Sequence, residues 1–223
     1  DNERWELIVQ KGDIIGSATS IEGRHYSMNP NCVSRYQVIS KLGQGTFGQV
    51  FKCMDLVHNK EVALKVLKNK KAYFRQGMVE VTSLLIVCNH TCNGTHMEVN
   101  KFFDDHKYVV EMTDHFLYCG HLCIVTELLG CSLQDLFRQT RKDGMGILTI
   151  QVLCRQLIEA LMVIKRADII HCDLKPDNVL LTGSTSRIKL IELGSSCFEG
   201  YPLNDYVQSR YYRAPEICLG YRY

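Results

Sequence analysis

Eight consecutive residues in the last third of the chain combine a carboxylate, a cation and an amide. They are His171-Cys172-Asp173-Leu174-Lys175-Pro176-Asp177-Asn178, and the apolar run Val179-Leu180-Leu181 follows them. Phosphoryl transfer asks a protein mainly to position groups and to stabilise charge, so it needs a carboxylate near the attacking hydroxyl and a cation at the γ-phosphate. We therefore expect Asp173 to accept or orient the hydroxyl proton, Lys175 to neutralise the phosphate, and Asn178 to bind Mg²⁺.

A glycine-rich segment fits the same chemistry from the other half of the chain. It reads Gly43-Gln44-Gly45-Thr46-Phe47-Gly48-Gln49-Val50 and lies between two predicted strands. A hairpin of this kind lets backbone amides approach phosphates, although an ordinary glycine-rich hairpin would look the same. A dinucleotide-binding oxidoreductase would instead need a helix starting near Gly48 and an acidic residue about 20 residues later at a strand end. Asp55 and Glu61 do not fit that placement.

A lysine and a glutamate extend the predicted phosphate site. Lys65 ends the run Val62-Ala63-Leu64-Lys65 on the third predicted strand, where it can neutralise the α- and β-phosphates. Glu80, on the one helix predicted in this half, is at a spacing that lets it hold Lys65. The alternative for Glu80 is a solvated helix residue, which is the default for an isolated glutamate.

The elements that must position these residues change character along the chain. Alternating or β-rich runs predict strands at Tyr36–Lys41, Val50–Met54, Glu61–Leu67, Tyr108–Phe116 and Leu122–Leu128, with a further short strand at Leu7–Val9. Helical spacing appears at residues 71–88, at Leu133–Phe137 and at Ile150–Ile164. A sheet-rich half followed by a helix-rich half predicts an α+β fold of two lobes with a cleft between them. We expect a lead-in at 1–35, a small lobe at 36–127 and a partial large lobe at 128–223.

Composition narrows the class of protein without naming a partner. The chain has 223 residues, 46% of them apolar, a net charge of +2 and eleven cysteines. That charge gives no field to recruit nucleic acid or anionic lipid, and no apolar run reaches the about 18 residues that would span a membrane. The cysteines lack framework spacing, so we expect reduced thiols and an intracellular protein, in the cytoplasm, the nucleus or both. The glycosylation sequons at Asn89 and Asn93 are then chance, and the oligomeric state stays open.

Taken together, the motifs resemble those of eukaryotic protein kinases of the CMGC group, in particular the dual-specificity tyrosine-phosphorylation-regulated (DYRK) family. The resemblance is carried by Leu42–Val50, His171–Asp173, Gly194-Ser195-Ser196-Cys197 and Tyr206–Glu216. The lead-in Asp1-Asn2-Glu3, with Leu7–Val9 and Gly12–Ile14, favours the Yak-type branch, and the homeodomain-interacting protein kinases are similar too. The sequence ends soon after Ala214-Pro215-Glu216, so the resemblance implies a five-stranded small lobe with one helix and an incomplete helical large lobe.

The resemblance also implies an activity and assigns residues to it. It implies transfer of the ATP γ-phosphoryl group to Ser or Thr of protein substrates, and autophosphorylation on Tyr206, whose phosphate would pair with Arg210 and Arg213. Val50, Ala63 and Leu180 would sandwich adenine, Glu127–Leu129 would form the hinge, and Thr126 would be the gatekeeper. The full ATP-binding set is Leu42, Gly43, Gln44, Gly45, Thr46, Phe47, Gly48, Gln49, Val50, Ala63, Lys65, Glu80, Glu127, Leu129 and Leu180.

Two departures from the kinase pattern leave an alternative open. Kinases present Asp-Phe-Gly where this chain has Glu192-Leu193-Gly194, so the second metal ligand, Glu192, is one methylene longer. Octahedral Mg²⁺ tolerates misplacement poorly, and the exchange predicts weak activity, a preference for Mn²⁺, or a pseudokinase that serves as a nucleotide-binding scaffold. Asn204-Asp205-Tyr206 offers one tyrosine where the Yak and DYRK branches show two, which makes the branch less certain than the family.

A rival metal site lies after the helix predicted at residues 71–88. Cys88, His90, Cys92 and His96 supply potential zinc ligands within nine residues. No second pair at structural-zinc spacing supports them, so a plain surface loop is the favoured interpretation.

Overall fold

The computed structural model describes residues 1–16, 35–92, 107–140, 144–183, 187–202 and 206–223. Within these ranges the chain forms two compact units. The first comprises Asp1–Val81 and Met112–Leu128, and the second comprises Thr82–Glu111 and Leu129–Tyr223. The predicted domain boundaries at residues 35/36 and 127/128 stay predictions.

The first unit is built on one antiparallel sheet. Its strands are β1 (Ile14–Gly16), β2 (Arg35–Gln44), β3 (Gly48–Asp55), β4 (Lys60–Leu67), β5 (Met112–Tyr118) and β6 (His121–Glu127). They lie in the order β1-β2-β3-β4-β6-β5. The five strands predicted for the small lobe are present as β2–β6. Ile14–Gly16 of the lead-in adds a sixth, unpredicted strand by pairing with β2. Leu7–Val9, predicted as a strand, forms none, although Leu7 and Val9 pack against the sheet.

Strict alternation along β6 explains how this sheet is buried on both faces. Cys123 and Val125 point into one core cluster, which contains Tyr36, Phe51 and most of the buried β4 residues. Leu122 and Ile124 point into a second cluster on the other face. Residues of helix α1 and the aromatic ring of Phe47 pack against that second cluster. The sheet is thus held from both sides by apolar burial.

Helix α1 (Lys71–Cys92) confirms the helix predicted at residues 71–88 and runs four residues further. Its first half belongs to the first unit and carries Glu80, and its second half, from Thr82, belongs to the second unit. Gly77 lies where the helix approaches Leu67 and Leu122, since a Cβ at this position would overlap both side chains.

The second unit contains the remaining helices and short strands. They are α2 (Leu133–Gln139), α3 (Ile147–Arg166), β7 (Ile169–Ile170), β8 (Val179–Leu181), β9 (Ile188–Leu190), β10 (Cys197–Phe198) and α4 (Pro215–Cys218). Short 3₁₀ turns lie at Pro176–Asn178, Leu193–Ser195 and Arg210–Tyr212. β7 pairs with β10 and β8 pairs with β9, in both cases antiparallel. These two ribbons carry the loops on which the predicted catalytic residues lie.

Helix α3 corrects the expectation that no segment would be long enough to span a membrane. With 20 residues it is long and apolar enough by length and composition alone. Core helices of soluble proteins reach the same length and hydropathy, so one such helix is weak evidence for a membrane span. α3 buries a stripe containing Leu153, Ala160 and Ile164, and the side chain of Gln156 accepts a hydrogen bond from the backbone N–H of Ile188 in β9 (2.9 Å).

Candidate active site

The glycine-rich segment forms the hairpin between β2 and β3, as predicted. The strands pair up to Gln44 opposite Gln49, and the Gly45 N–H donates to the Gly48 carbonyl oxygen at 2.9 Å. A Cβ on Gly48 would overlap the carbonyl oxygen of Val66, so packing against β4 requires this glycine. Among the described residues, no atom lies within 4 Å of a Cβ placed on Gly43 or Gly45. Packing against those residues gives no reason for these two glycines.

Lys65 and Glu80 form the ion pair that their spacing suggested. Lys65 Nζ donates to Glu80 Oε2 at 2.7 Å, and the two side chains are only 15% and 8% exposed. Lys65 reaches α1 because it alternates with Val62, Leu64 and Val66, which point into the opposite face of the sheet. A partly desolvated pair of this kind fixes the ammonium group in one place.

The residues that the resemblance assigned to adenine binding in the first unit share one face of the sheet. Val50 pairs with Lys65 across β3 and β4, and Ala63 pairs with Thr126 across β4 and β6. Residues directly opposite each other in an antiparallel sheet point to the same side. Val50, Ala63 and Thr126 therefore lie on the Lys65 side, while Glu127 ends β6 opposite Val62.

In the second unit, the end of the predicted hinge is tied to β8. The Gly130 N–H donates to the Leu181 carbonyl oxygen at 2.7 Å, and the Leu181 N–H donates to the Cys131 carbonyl oxygen at 2.9 Å. These bonds fix the backbone at Gly130, the residue after Leu129, to the end of the strand that contains Leu180.

Asp173 is the centre of a dense hydrogen-bond network. Its Oδ2 accepts from Lys175 Nζ at 2.7 Å and from Asn178 Nδ2 at 3.2 Å. Its Oδ1 accepts from the Ser209 hydroxyl at 2.7 Å, and Lys175 Nζ also donates to that hydroxyl at 3.1 Å. The three residues predicted from the octad are thus brought together, and Ser209 joins them.

The network determines the charge of Asp173. Partial burial acts to raise the pKa of this carboxyl group, but hydrogen bonds from Lys175 and Ser209, with the positive charge of Lys175, outweigh it. The pKa of Asp173 therefore lies below its ordinary value of 3.8. The group is ionised at neutral pH and can accept a hydrogen bond from an incoming hydroxyl.

The backbone of Ile191 bonds to both ends of the loop 171–178, which is the predicted catalytic loop. Nδ1 of His171 accepts a hydrogen bond from the Asp173 N–H at 3.2 Å. The proton of the neutral ring is therefore on Nε2, which donates to the Ile191 carbonyl oxygen at 3.0 Å. The Ile191 N–H donates to the Asn178 carbonyl oxygen at 3.0 Å. Burial lowers the pKa of His171, so the ring is neutral and structural at physiological pH.

Asn178 and Glu192 present a donor set that suits a hard divalent cation. Asn178 is buried, and its amide nitrogen donates to the Asp173 carbonyl oxygen at 2.8 Å, which leaves its amide oxygen as the ligand atom. Glu192 follows Ile191 directly. Mg²⁺ in phosphate-binding sites uses one or two such oxygens together with phosphate and water. The described residues contain no group of three or more His, Cys, Asp or Glu side chains that could hold a metal ion, and this excludes a cage made of such side chains there.

Glu192 has an uncommon backbone conformation, with φ 68° and ψ 59°. Outside glycine, the left-handed region is visited chiefly by asparagine and aspartate. A glutamate here combines a longer side chain with a backbone that favours the shorter one.

Tyr206 is well exposed, and one of its two predicted arginine partners, Arg213, contacts its ring. The guanidinium carbon of Arg213 lies 3.8 Å from the centre of the Tyr206 ring. Arg213 also donates to the carbonyl oxygens of Val207 and Gln208, both at 2.9 Å. Arg210 lies on an exposed 3₁₀ turn. A cation is therefore in place beside the hydroxyl-bearing ring before any phosphate is added.

Sequence reasoning missed Ser209. It lies 36 residues from Asp173, and only the fold brings its hydroxyl to the carboxylate. The signal available was its place between Tyr206 and Ala214-Pro215-Glu216, the segment that also carried the resemblance. The rival zinc cluster cannot be judged in the same way, since the side chains of His90, Cys92 and His96 lie outside the described residues.

Comparison with known proteins agrees with this geometry. A family model described as "protein kinase domain" matches residues 36–223. The chain is 40% identical over 221 residues to a probable serine/threonine-protein kinase yakA of Dictyostelium discoideum, covering 99% of this chain and 14% of that protein. It is 39% identical over 227 residues to a dual specificity protein kinase YAK1 homolog of Arabidopsis thaliana, covering 100% of this chain and 21% of that protein.

A third relative extends the same pattern. The dual specificity protein kinase YAK1 of Saccharomyces cerevisiae is 39% identical over 224 residues, with 100% of this chain and 25% of that protein covered. The chain thus spans a quarter or less of the length of these three relatives. The family match covers well over half of the chain, and the relatives share one branch. The chain belongs to the protein kinase domain family, and the three relatives to which it is similar carry the names of Yak-type kinases.

Proposed function

We propose that this protein transfers the γ-phosphoryl group of ATP to serine or threonine hydroxyls of protein substrates. The observation that carries the proposal is the network at Asp173, in which an ionised carboxylate, the Lys175 ammonium and the Ser209 hydroxyl lie within 3.1 Å of one another. The names of the relatives support a kinase that acts on proteins. The geometry supports a specific division of work among the residues.

Asp173 orients the substrate hydroxyl and receives its proton as the oxygen bonds to the γ-phosphorus. The bond between that phosphorus and the β,γ-bridging oxygen breaks, and ADP leaves with the electron pair. Lys175 neutralises charge on the transferred group, and Lys65, held by Glu80, does the same at the α- and β-phosphates. The backbone amides around Gly43 and Gly45 supply further hydrogen-bond donors.

Asn178 and Glu192 would hold the divalent cation, which when bound neutralises the phosphates. Mg²⁺ is the expected ion because the donors are oxygen atoms. The longer Glu192 side chain argues for a more tolerant ion such as Mn²⁺ as an alternative.

A nucleotide-binding scaffold without transferase activity is the second candidate function. The observation that favours it is Glu192 itself, with its longer side chain and left-handed backbone. Such a protein would keep the Lys65–Glu80 pair and bind ATP while failing in the chemical step.

Tyr206 is the proposed site of autophosphorylation. Its exposure leaves the hydroxyl accessible, and Arg213 at 3.8 Å from the ring would pair with the phosphate. That neither nucleic acid nor a membrane takes part, and that the protein acts inside the cell, stay predictions from composition.

The test is transfer from radiolabelled ATP to a basic protein and to the protein itself, with Mg²⁺ and Mn²⁺ in separate reactions. Asp173→Asn keeps the shape of the side chain and removes its charge, so we expect activity to fall by about 10³-fold or more. Asp177→Asn is the matched control, because this carboxylate is exposed in the same loop. Incorporation that disappears only in the Asp173 variant supports the enzyme. Nucleotide binding without incorporation under either metal would overturn it in favour of the scaffold.

A further inference from the structure

The first residues of the chain fold into a compact turn, Asn2–Leu7, which we call the lead-in hook. The side-chain oxygen of Asn2 accepts hydrogen bonds from the Arg4 N–H at 2.9 Å and the Glu6 N–H at 3.0 Å. The Asn2 side-chain nitrogen donates to Glu6 Oε2 at 3.1 Å. The Glu6 carboxylate is thereby fixed in direction by its own turn.

The lead-in hook accepts hydrogen bonds from the glycine-rich hairpin at the last pair of strand residues before the turn. Gln44 Nε2 donates to Glu6 Oε1 at 2.7 Å, and Gln49 Nε2 donates to the Leu7 carbonyl oxygen at 3.2 Å. Gln44 and Gln49 are directly opposite each other in β2 and β3, immediately before the turn of residues 45–47. Both strands of the hairpin are therefore held by the same short segment.

The hook is anchored at a second point, just beyond β4. Lys68 Nζ lies 3.4 Å from Glu6 Oε1, and its backbone N–H donates to the carbonyl oxygen of Phe47 at the tip of the hairpin. The Asn69 N–H donates to the Trp5 carbonyl oxygen at 2.9 Å. Because Lys68 is three residues from Lys65, one carboxylate links the hairpin to the strand that carries the phosphate lysine.

The surroundings of Glu6 stabilise the ionised form of its carboxylate. Its side chain is only 4% exposed, and a buried carboxylate is costly unless hydrogen bonds and a cation compensate for lost hydration. The hydrogen bond from Asn2, joined by Gln44 and Lys68, outweighs burial and lowers the pKa of Glu6. The group is ionised at neutral pH.

Two glycines of this hairpin, Gly43 and Gly45, have no packing among the described residues that would fix them. Alanine at Gly43 or Gly45 would meet no atom of the described residues within 4 Å, so the turn is not wedged in place by side-chain packing there. Backbone amides bind phosphates well only when they are held in the bound geometry beforehand. A contact that fixes the last strand pair reduces the freedom of the amides that follow it.

We propose that the lead-in hook positions the glycine-rich hairpin for the phosphates of ATP, with Glu6 and Gln44 as positioning residues. Docking or release of the hook would then tune the affinity for ATP without touching the groups that react. The effect on the affinity for ATP rests on the proposed kinase function, whereas the effect of the hook on the mobility of the hairpin does not.

The experiment compares Glu6→Ala with Glu3→Gln, an exposed carboxylate in the same hook. Hydrogen exchange measured by mass spectrometry on residues 43–50 reports the hairpin, and the KM values for ATP and for a protein substrate report its use. Loss of a hydrogen bond to a charged group predicts about tenfold faster exchange and about a tenfold higher KM for ATP in Glu6→Ala. The KM for protein and both measurements in Glu3→Gln should stay unchanged.

Trp5 is the single tryptophan of the chain, and its emission shows whether the whole hook has left the surface. Gln44→Met removes the Glu6 contact from the hairpin side and leaves the Lys68 contact, so it should reproduce the exchange change with unaltered Trp5 emission. If Glu6→Ala does not fold, Gln44→Met and Glu6→Gln carry the test. Unchanged exchange at residues 43–50 in Gln44→Met, or a lower melting temperature with an unchanged KM for ATP, would overturn the proposal.

The two hypotheses fail in different ways. A wild-type protein that transfers no phosphate removes the proposed kinase function, while exchange of residues 43–50 and ATP binding followed by calorimetry still decide whether the hook positions the hairpin. If the wild-type protein is active but substitution of Glu6 or Gln44 leaves exchange at residues 43–50 unchanged, only the proposed role of the hook is overturned.

Discussion

Glu192 is the residue at which this chain departs most clearly from its family. It is one methylene longer than the usual aspartate, and it adopts a left-handed backbone that aspartate tolerates better. Side-chain length and backbone preference both favour the shorter acid. Restoring aspartate therefore changes metal geometry and relieves strain in the same step.

We expect Glu192→Asp to raise kcat/KM with Mg²⁺ by about 10- to 100-fold, because a displacement near one bond length at a reacting centre costs on this order. The gain with Mn²⁺ should be smaller. Steady-state kinetics with each metal measure it, and Glu199→Asp, in an exposed pair with Lys165, is the matched control. A Glu192→Asp protein that binds ATP and still transfers nothing would contradict the enzyme and favour the scaffold.

Local motifs explain why part of the site was predictable. Asp173, Lys175 and Asn178 lie within six residues, and the 3₁₀ turn at Pro176–Asn178 brings their side chains together. Ser209 reaches the same carboxylate from 36 residues away, which spacing within a motif does not encode. Roles that depend on nucleotide contacts, as at Val50 and Leu180, remain predictions.

The buried thiols of Cys172 and Cys197 give a prediction of reactivity at the same scale. Their sulfur atoms lie 3.5 Å apart in a small apolar cluster, and burial raises the pKa of Cys172 to about 12. Since the thiolate is the reactive form, Cys172 should resist alkylation at pH 8 in the native protein. Iodoacetamide should modify the exposed Cys131 before Cys172, and mass spectrometry of the labelled protein measures the difference. Equal labelling of Cys172 and Cys131 in the folded protein would contradict the burial that the pKa reflects.

The β2–β3 hairpin allows packing and ligand binding to be separated at the scale of an element. Gly48→Ala would force a methyl group against the Val66 carbonyl, and overpacking of this kind costs about 1–3 kcal/mol. Gly45→Ala meets no described atom, so its stability should be nearly unchanged while its affinity for ATP falls. Thermal unfolding and ATP titration of both variants measure the two effects. Equal destabilisation by the two substitutions would show that the hairpin turn is packed as tightly as its base.

Elements of regular periodicity were predicted well, and their partners less so. The strand period of two and the helical spacing located β3, β4, α1 and α3 within a few residues. The strand at Ile14–Gly16 was missed because three residues show no period, and only pairing with β2 makes them a strand. The hook contacts at Gln44 and Gln49 had no sequence signal of their own either.

The division into two units shows which features a whole-molecule prediction can reach. A change from sheet-rich to helix-rich texture predicted two lobes, and the chain does separate into two compact units. The second half of α1 belongs to the second unit, although its sequence reads as one continuous helix. The boundary between the two units therefore lies inside a helix that its periodicity presents as one element.

The pH dependence of stability is a property of the whole molecule to which the neutral His171 ring contributes. Burial keeps its folded pKa below the ordinary 6.5, despite the nearby charges of Asp173 and Glu192. At this residue the unfolded chain then binds more protons below pH 6.5. The contribution of His171 to the unfolding free energy is therefore constant above this pH and falls as the pH decreases through it. The carboxylates of Glu6 and Asp173, whose pKa values are lowered, lose their contribution only at a more acidic pH.

We expect His171→Gln to flatten this fall between pH 6.5 and 5.5, where one buried histidine contributes at most about 1.4 kcal/mol per pH unit. Glutamine can still donate to the Ile191 carbonyl oxygen but carries no titrating group. Urea unfolding followed by circular dichroism at pH 7.5, 6.5 and 5.5 measures the slope, with His115→Gln on β5 as the control. Identical slopes for wild type and His171→Gln would mean that the ring is protonated in the folded state. Below pH 6.5 its Nδ1 would then no longer accept the Asp173 N–H, and the neutral tautomer would support the loop 171–178 only at higher pH.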